Sequence, residues 1–401
     1  MTIPTRLKQV NHGMNKKNNC TLFLVLTFFS LAFDSGGDFG LRALILPIGL
    51  MGLILNNGFR ITNTLILIFT LLVVWPIISL GIGISNGADL EVALSQYKGL
   101  FFGFLMVAVL SSVESDKMLD IFTYSIVAIA LFVDIISAGL LLGFSWAETI
   151  LSLLAPLGGG YFGYMPIGGI LIPNIYFKST LFFVPAFWVL LRKDRLMMAA
   201  LIFISTIFAI SKTAIISCVL ILVASVFFNN NSKKRLYVFI FLVLAALYVV
   251  NHPIYSKLEE ISSGESVTVS IRQDHIGSLI NYWSENPIDF IIGSGLGSTF
   301  FSVGAGEYVN AIELDHLNII RKHGIIWFGL FMALTVYIST VLIRSGDRNS
   351  RTLGVALGIA FIVAGTNPVL LTPIFFVLLG ISLGSINQKR FESKRLAPIH
   401  A

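Results

Sequence analysis

Long apolar runs, each broken by a short polar or glycine-bearing turn, dominate the chain. They predict twelve membrane-spanning helices, at 20–34, 42–55, 61–83, 98–113, 120–143, 177–191, 196–210, 213–229, 235–250, 323–344, 352–366 and 369–386. A helix needs about 20 apolar residues to cross the hydrocarbon layer, so the shorter runs are expected to tilt or to form buried half-helices or re-entrant segments. Two segments interrupt the rhythm. Residues 144–176, rich in glycine and apolar side chains, and residues 251–322, the longest polar stretch, fall on the same side of the predicted membrane. Long ordered loops are usually functional, so both are candidate site regions.

Composition turns this pattern into a class. The 401 residues are 56% hydrophobic and 12% charged, with a mean hydropathy of +0.86, whereas soluble domains carry about 25% charged residues. Soluble enzymes, disordered chains and disulfide scaffolds are excluded, leaving an all-α, polytopic helical bundle in which 1–401 is one transmembrane domain. The net charge of +6 is chiefly topological. With the N-terminus inside, nineteen of the twenty-seven cations fall in inside segments, which predicts that both termini are cytoplasmic. The other eight are Arg42, Lys98, Lys178, Lys212, Lys257, Arg272, Arg321 and Lys322. No soluble module gathers cations, so nucleic acid is not an expected partner. Leu31 to Gly37 offers no clear small-x-small cleavage site, and the first helix is read as uncleaved. Cys20 and Cys218 sit in or beside apolar runs with no metal or redox pair near them and are read as packing residues.

The candidate chemistry lies on the outer side. Ser270 offers an N-cap for a short amphipathic helix whose apolar stripe is Ile276, Leu279, Ile280 and Trp283, with Arg272 and His275 near its start and Asn286-Pro287 ending it. The glycine-rich run Gly293-Ser294-Gly295-Leu296-Gly297-Ser298 lacks the Walker lysine and reads as a tight turn packed on the membrane surface. Residues 313–323 hold Glu313, Asp315, His316, Arg321, Lys322 and His323, the densest ionisable cluster in the chain. In a helix Glu313, His316 and Leu317 share a face that Arg321 continues. Glu313, Asp315, His316 and Arg321 are read as functional, Lys322 and His323 as an interfacial cap. Lys212 separates two apolar runs with almost no loop, which makes it a candidate by position. Asp134, inside the fifth span, suits a proton relay or an interior hydrogen-bond partner, and the second is favoured because a single carboxylate makes a poor relay.

In order and spacing these pieces resemble the bacterial O-antigen polymerase and O-antigen ligase superfamily. Gly169-Ile170-Leu171-Ile172-Pro173-Asn174 resembles that family's glycine, proline-asparagine element, and Ser211-Lys212 its Ser-Arg pair. Ser270-Ile271-Arg272, Trp283, Pro287 and Gly293-Ser294-Gly295 resemble its Arg, Trp, Pro, Gly-x-Gly string, and Glu313 to Gly329 its approach to a helix ending in Gly-x-x-x-x-Gly. The resemblance spans residues 160–345. Two features depart from it: the ligase's His-Asn register is occupied by Glu313-Leu314, and residues 144–176 contain no arginine. The first favours the polymerase over the ligase.

The resemblance implies a GT-C-like bundle in the inner membrane of a bacterium, with 144–176 and 251–322 as periplasmic loops. It implies an enzyme that joins undecaprenyl-pyrophosphate-linked oligosaccharides into polysaccharide for lipopolysaccharide, a metal-independent, inverting glycosyltransferase with no cofactor. A polysaccharide chain-length regulator and membrane lipids are candidate partners. Catalysis would fall to Glu313 as base, with Asp315 or His316 as substitutes. Arg272, Lys212, Arg321 and His275 would hold the pyrophosphate and glycan. The alternatives are an O-antigen ligase acting on the lipid A core and, from another class, a lipid-linked oligosaccharide flippase or transporter.

Overall fold

A computed structural model describes residues 5–34, 40–113, 117–157, 160–167, 170–228, 267–365 and 369–396. Among the described residues 77% are helical. Its helices are α1 (Thr5–Phe33), α2 (Leu41–Asn57), α3 (Asn63–Ser85), α4 (Leu90–Leu110), α5 (Met118–Leu141) and α6 (Ser145–Leu154). A hairpin of β1 (Gly160–Ile167) and β2 (Ile170–Phe177) follows, then α7 (Phe183–Arg192), α8 (Leu196–Phe208) and α9 (Lys212–Phe228). The remainder comprises α10 (Val267–Glu285), α11 (Pro287–Ile292), β3 (Phe300–Ser302), β4 (Glu307–Val309), α12 (Asp315–Arg344), α13 (Arg348–Val363) and α14 (Pro373–Leu396).

Helices overlap eleven of the twelve predicted spans; the ninth, 235–250, lies outside the described residues, as does the polar run 259–266. Among the described residues four helices, α3, α4, α5 and α12, are long and apolar enough to cross a membrane. Leu44, Leu55, Ile78, Leu330 and Ile362 are among many large apolar side chains left exposed on helix surfaces. Lipid is the solvent that such faces match, and the architecture is that of a helical membrane protein. Caps fix several helix starts. Thr62 Oγ1 accepts from the Leu65 N–H, and Asp89 Oδ1 from that of Val92.

The core is aromatic where α12 meets α14. Trp327 stacks on Phe331 at 5.0 Å, and Phe331 meets Phe375 at 6.1 Å. Trp327 Nε1 donates to the Leu71 carbonyl at 2.8 Å. Leu71 belongs to a π-helical turn, Thr70–Val74, and such a turn shifts the backbone ladder so that a carbonyl faces a side chain on a neighbour. Cys20 and Cys218 are both buried and unbridged.

The helical class holds with one addition and two corrections. Part of 144–176, read from sequence as a loop, forms the antiparallel β1–β2 ribbon, with Tyr164 opposite Pro173 and Tyr176 opposite Tyr161. A run mixing aromatic and β-branched residues with prolines suits a two-stranded ribbon, where each strand has a free edge that tolerates a residue without an N–H. Ser270 is not the N-cap of α10, which begins at Val267. The buried face of α10 is also rotated from the predicted stripe. His275, Ser278 and Leu279 are buried, while Ile276 and Ile280 are exposed, as are Ile288, Ile291 and Ile292 of α11.

At the other end of the bundle Asp347 caps α13, accepting from the N–H groups of Asn349 and Ser350, the Ser350 hydroxyl and Lys389. Burial raises its carboxyl, but these donors outweigh it and hold it below its ordinary value of 3.8. A depressed folded-state pKa contributes stability that is present above the unfolded value and lost as pH falls through the folded one. Wild type should therefore unfold at a higher temperature than Asp347→Asn at neutral pH, with the gap narrowing below about pH 4. A gap unchanged by acid would contradict the cap's charge.

Candidate functional site

The site grows from one glycine. Gly324 has φ +83°, inside the range of α12, and breaks it into an approach helix, 315–323, and a span, 325–344. The span covers about 30 Å at 1.5 Å per residue, the thickness of the hydrocarbon layer. A Cβ at Gly324 would lie 2.2 Å from the Ile291 carbonyl oxygen, so only glycine permits both this dihedral and this approach.

The break exposes helix-end carbonyls, and neighbouring elements satisfy them. The Arg321 carbonyl accepts from the Ser294 N–H at 2.7 Å and its hydroxyl at 2.9 Å. The Lys322 carbonyl accepts from the Gly295 N–H at 3.2 Å and Ser79 Oγ at 2.8 Å, and that of His323 from Trp75 Nε1 at 3.1 Å. The glycine-rich run is thus not a surface turn. It is wedged between the approach helix, the C-terminal end of α3 and the N-terminal end of α4, with Gly295 packed against Gly83 so closely that a Cβ would lie 2.1 Å from the Gly83 nitrogen.

Arg321 closes the same knot. It is 0% exposed. Its terminal nitrogens donate to the Ser298 carbonyl and hydroxyl at 2.9 Å each, the Asn310 carbonyl at 2.7 Å and Asn318 Oδ1 at 3.2 Å. The guanidinium also lies 5.0 Å from the Phe300 ring. All four terminal N–H groups are spent, leaving only Nε without a partner, and that atom is buried. In this arrangement the terminal nitrogens of Arg321 tie the glycine-rich loop to the approach helix.

Arg272 and Glu313 do meet. Arg272 on α10 donates to Glu313 Oε2 at 2.8 Å, with the arginine side chain 28% and the glutamate 62% exposed. Glu313 precedes α12, which starts at Asp315, so it does not share a helical face with His316 and Arg321 as the sequence predicts. The β1–β2 hairpin belongs to the same neighbourhood: burial first, then the Glu313 carboxylate, pushes the Tyr176 phenol up to about 12. A cation and an exposed carboxylate, beside an aromatic hairpin, can bind an anionic group and accept a proton.

The remaining predicted residues are dispersed. Asp315 is 5% exposed and accepts from the N–H groups of Val369 and Leu370 at 2.8 and 2.7 Å, a tie between α12 and the turn before α14. His316 Nε2 meets the Phe361 carbonyl at 3.1 Å, its ring packed against Phe328 and Phe361. His275 Nδ1 pairs with Ser302 Oγ and so joins α10 to β3. Lys212 opens α9, half-buried, on a helix packed against α7, α8 and α13. Lys322 and His323 are not a water-facing cap, being 8% and 0% exposed. His323 stacks on Trp327 at 4.7 Å, with neither ring nitrogen partnered among the described residues. Asp134 accepts from Ser205 Oγ at 2.8 Å, linking α5 to α8.

Sequence reasoning missed Trp75, Ser79 and Gly83. The small-xxx-small spacing of Ser79 and Gly83, which lets backbones approach within a membrane bundle, is the signal that points to them. Among the described residues no three His, Cys, Asp or Glu side chains group as a metal site requires. Comparison with models of known protein families and with curated proteins finds no match for this chain.

Proposed function

We propose that the protein is a multi-pass glycosyltransferase of the bacterial inner membrane, with twelve spans and cytoplasmic termini. It joins undecaprenyl-pyrophosphate-linked oligosaccharides into polysaccharide at the periplasmic face. The observation that carries this reading is the Arg272–Glu313 pair at 2.8 Å, formed by the two residues that the motif resemblance and the electrostatics of the reaction assign to the centre. In the reaction an acceptor hydroxyl attacks the anomeric carbon of the donor glycan, the bond to the pyrophosphate breaks, and the proton passes to a base. Arg272 neutralises the negative charge that gathers on the leaving pyrophosphate, and its planar fork suits phosphate oxygens. Glu313 takes the proton from the hydroxyl. Pyrophosphate arriving at Arg272 displaces Glu313 from the ion pair and leaves the carboxylate turned to the acceptor.

Deleting the gene in its native host tests the function. The expected result is lipopolysaccharide carrying single repeat units, with the ladder of lengths restored by the wild-type gene. Lipopolysaccharide with no repeat unit at all would assign the ligase reaction instead, and an unchanged ladder would remove both.

A further inference from the structure

Between the turn after α3, the end of α10 and the glycine-rich loop lies a half-open cleft of about 270 Å³. Asn86, Tyr282, Asn286, Asp289, Ser298 and Thr299 line it, so its wall is polar where most small-molecule pockets are apolar. Part of this polarity is already used. Tyr282 donates its hydroxyl to Asp289 Oδ2, Asn86 Nδ2 donates to the Ser294 carbonyl at 3.2 Å, and Asn286 Nδ2 to that of Tyr282 at 3.2 Å. The rest is unclaimed: Asn86 Oδ1, Asn286 Oδ1, Asp289 Oδ1 and the Thr299 hydroxyl have no protein partner among the described residues.

Charge narrows what fits. Asp289 stands on one wall, and the Arg321 guanidinium lies directly behind another, 2.9 Å from the Ser298 carbonyl and hydroxyl. A free anion meets the Asp289 carboxylate and a row of acceptor oxygens; a free cation meets the field of Arg321. A neutral ligand carrying several hydroxyls meets neither penalty, because each hydroxyl donates to an unclaimed oxygen and can accept from Thr299. Burial first, then its bond to Asp289, pushes the Tyr282 phenol up to about 12, so it stays protonated and the Asp289 geometry is held. The volume falls below the ~300 Å³ at which pockets for whole drug-sized ligands begin, which suits one ring.

We propose that this cleft binds a single neutral pyranose ring of the glycan, through Asn86, Asn286, Asp289 and Thr299. The inference rests on the glycan-transfer reading above and extends it. Arg272 and Tyr282 are ten residues apart on α10, or about 15 Å along its axis. The ring held here is therefore remote from the bond being made, and its binding positions the chain and selects the sugar.

Saturation-transfer NMR on the full-length protein in detergent, with methyl glycosides of the common hexoses and N-acetylhexosamines as probes, tests it. At least one glycoside should bind wild type, and Asn86→Ala, Thr299→Val and Asp289→Asn should each weaken it about tenfold, as loss of one or two hydrogen bonds predicts. Asn86 and Thr299 are exposed, so those two variants keep the fold if Asp289→Asn does not. Absence of binding by every glycoside, equal binding by wild type and the exposed-site variants, or displacement by calcium or inorganic phosphate at millimolar concentration would overturn the proposal. The two readings fail separately. Glycoside binding without the single-repeat deletion phenotype removes the polymerase alone, and that phenotype without glycoside binding removes the sugar cleft alone.

Discussion

Glu313→Gln is expected to slow chain extension by about 100- to 10,000-fold, the range a positioned general base contributes, and Arg272→Ala by about 100- to 1,000-fold, as for loss of one preorganised charge donor. Glutamine keeps the shape of the side chain and its contact with Arg272 but cannot accept the acceptor's proton. Alanine at Arg272 removes the cation that the proposed reaction sets against the leaving pyrophosphate. Arg272→Lys keeps the charge without the bidentate fork and should fall between wild type and alanine. Because the two residues touch, at 2.8 Å, the double variant should lose less than the sum of the single losses. The measurement is the initial rate of polymer formation by purified protein from a lipid-linked repeat unit. Both side chains are partly exposed, so neither substitution strands a buried charge, and folding should survive. Rates near wild type in both single variants would remove the pair from the reaction.

Arg321→Met should have the largest effect on stability, about 3–5 kcal/mol, the range seen when a buried charge is stripped from its partners. Four hydrogen bonds from a fully enclosed guanidinium are lost, and the Ser298 and Asn310 carbonyls and Asn318 Oδ1 are left without this donor. Each oxygen left unsatisfied in the interior costs about 1–3 kcal/mol. Methionine offsets part of this by packing on Phe300 and by removing the cost of burying a charge. Arg321→Lys should recover only part, since one ammonium cannot reach sites fanned around a planar fork. Thermal unfolding in detergent reads the difference. Unfolding at the wild-type temperature would mean that the glycine-rich loop is held without Arg321.

The helices were legible in the sequence because a span is a statement about length and apolarity, and both can be read locally. The pairing of Arg272 with Glu313 was legible only as two candidates, 41 residues apart. Their contact depends on α10 folding back against the start of α12, and that depends on the bond between His275 and Ser302 and the packing of Leu279 with Phe300 and Leu314. The enclosure of Arg321 was not legible, for a physical reason. Helical periodicity predicts which residues share a face, but not that a glycine-rich loop will cover that face, and a covered arginine turns its donors to backbone carbonyls. The hairpin in 144–176 was hidden for a related reason, since its aromatic and β-branched residues serve a strand as readily as a buried helix or loop.

The sequence by itself determined that this is a helical membrane protein and where most of its helices lie. Hydropathy and charge act residue by residue against the surrounding solvent, so no long-range contact is needed to read them. Only the tertiary structure decided what those charges do. It enclosed Arg321, Asp315 and His323, left Arg272 and Glu313 within reach of water, and gathered Asn86, Tyr282 and Asp289 around one cleft. Burial and pairing arise when distant segments pack, through the break at Gly324 and the close approach of Gly295 to Gly83, and a charge becomes a structural tie or a reactive group according to which of these it meets.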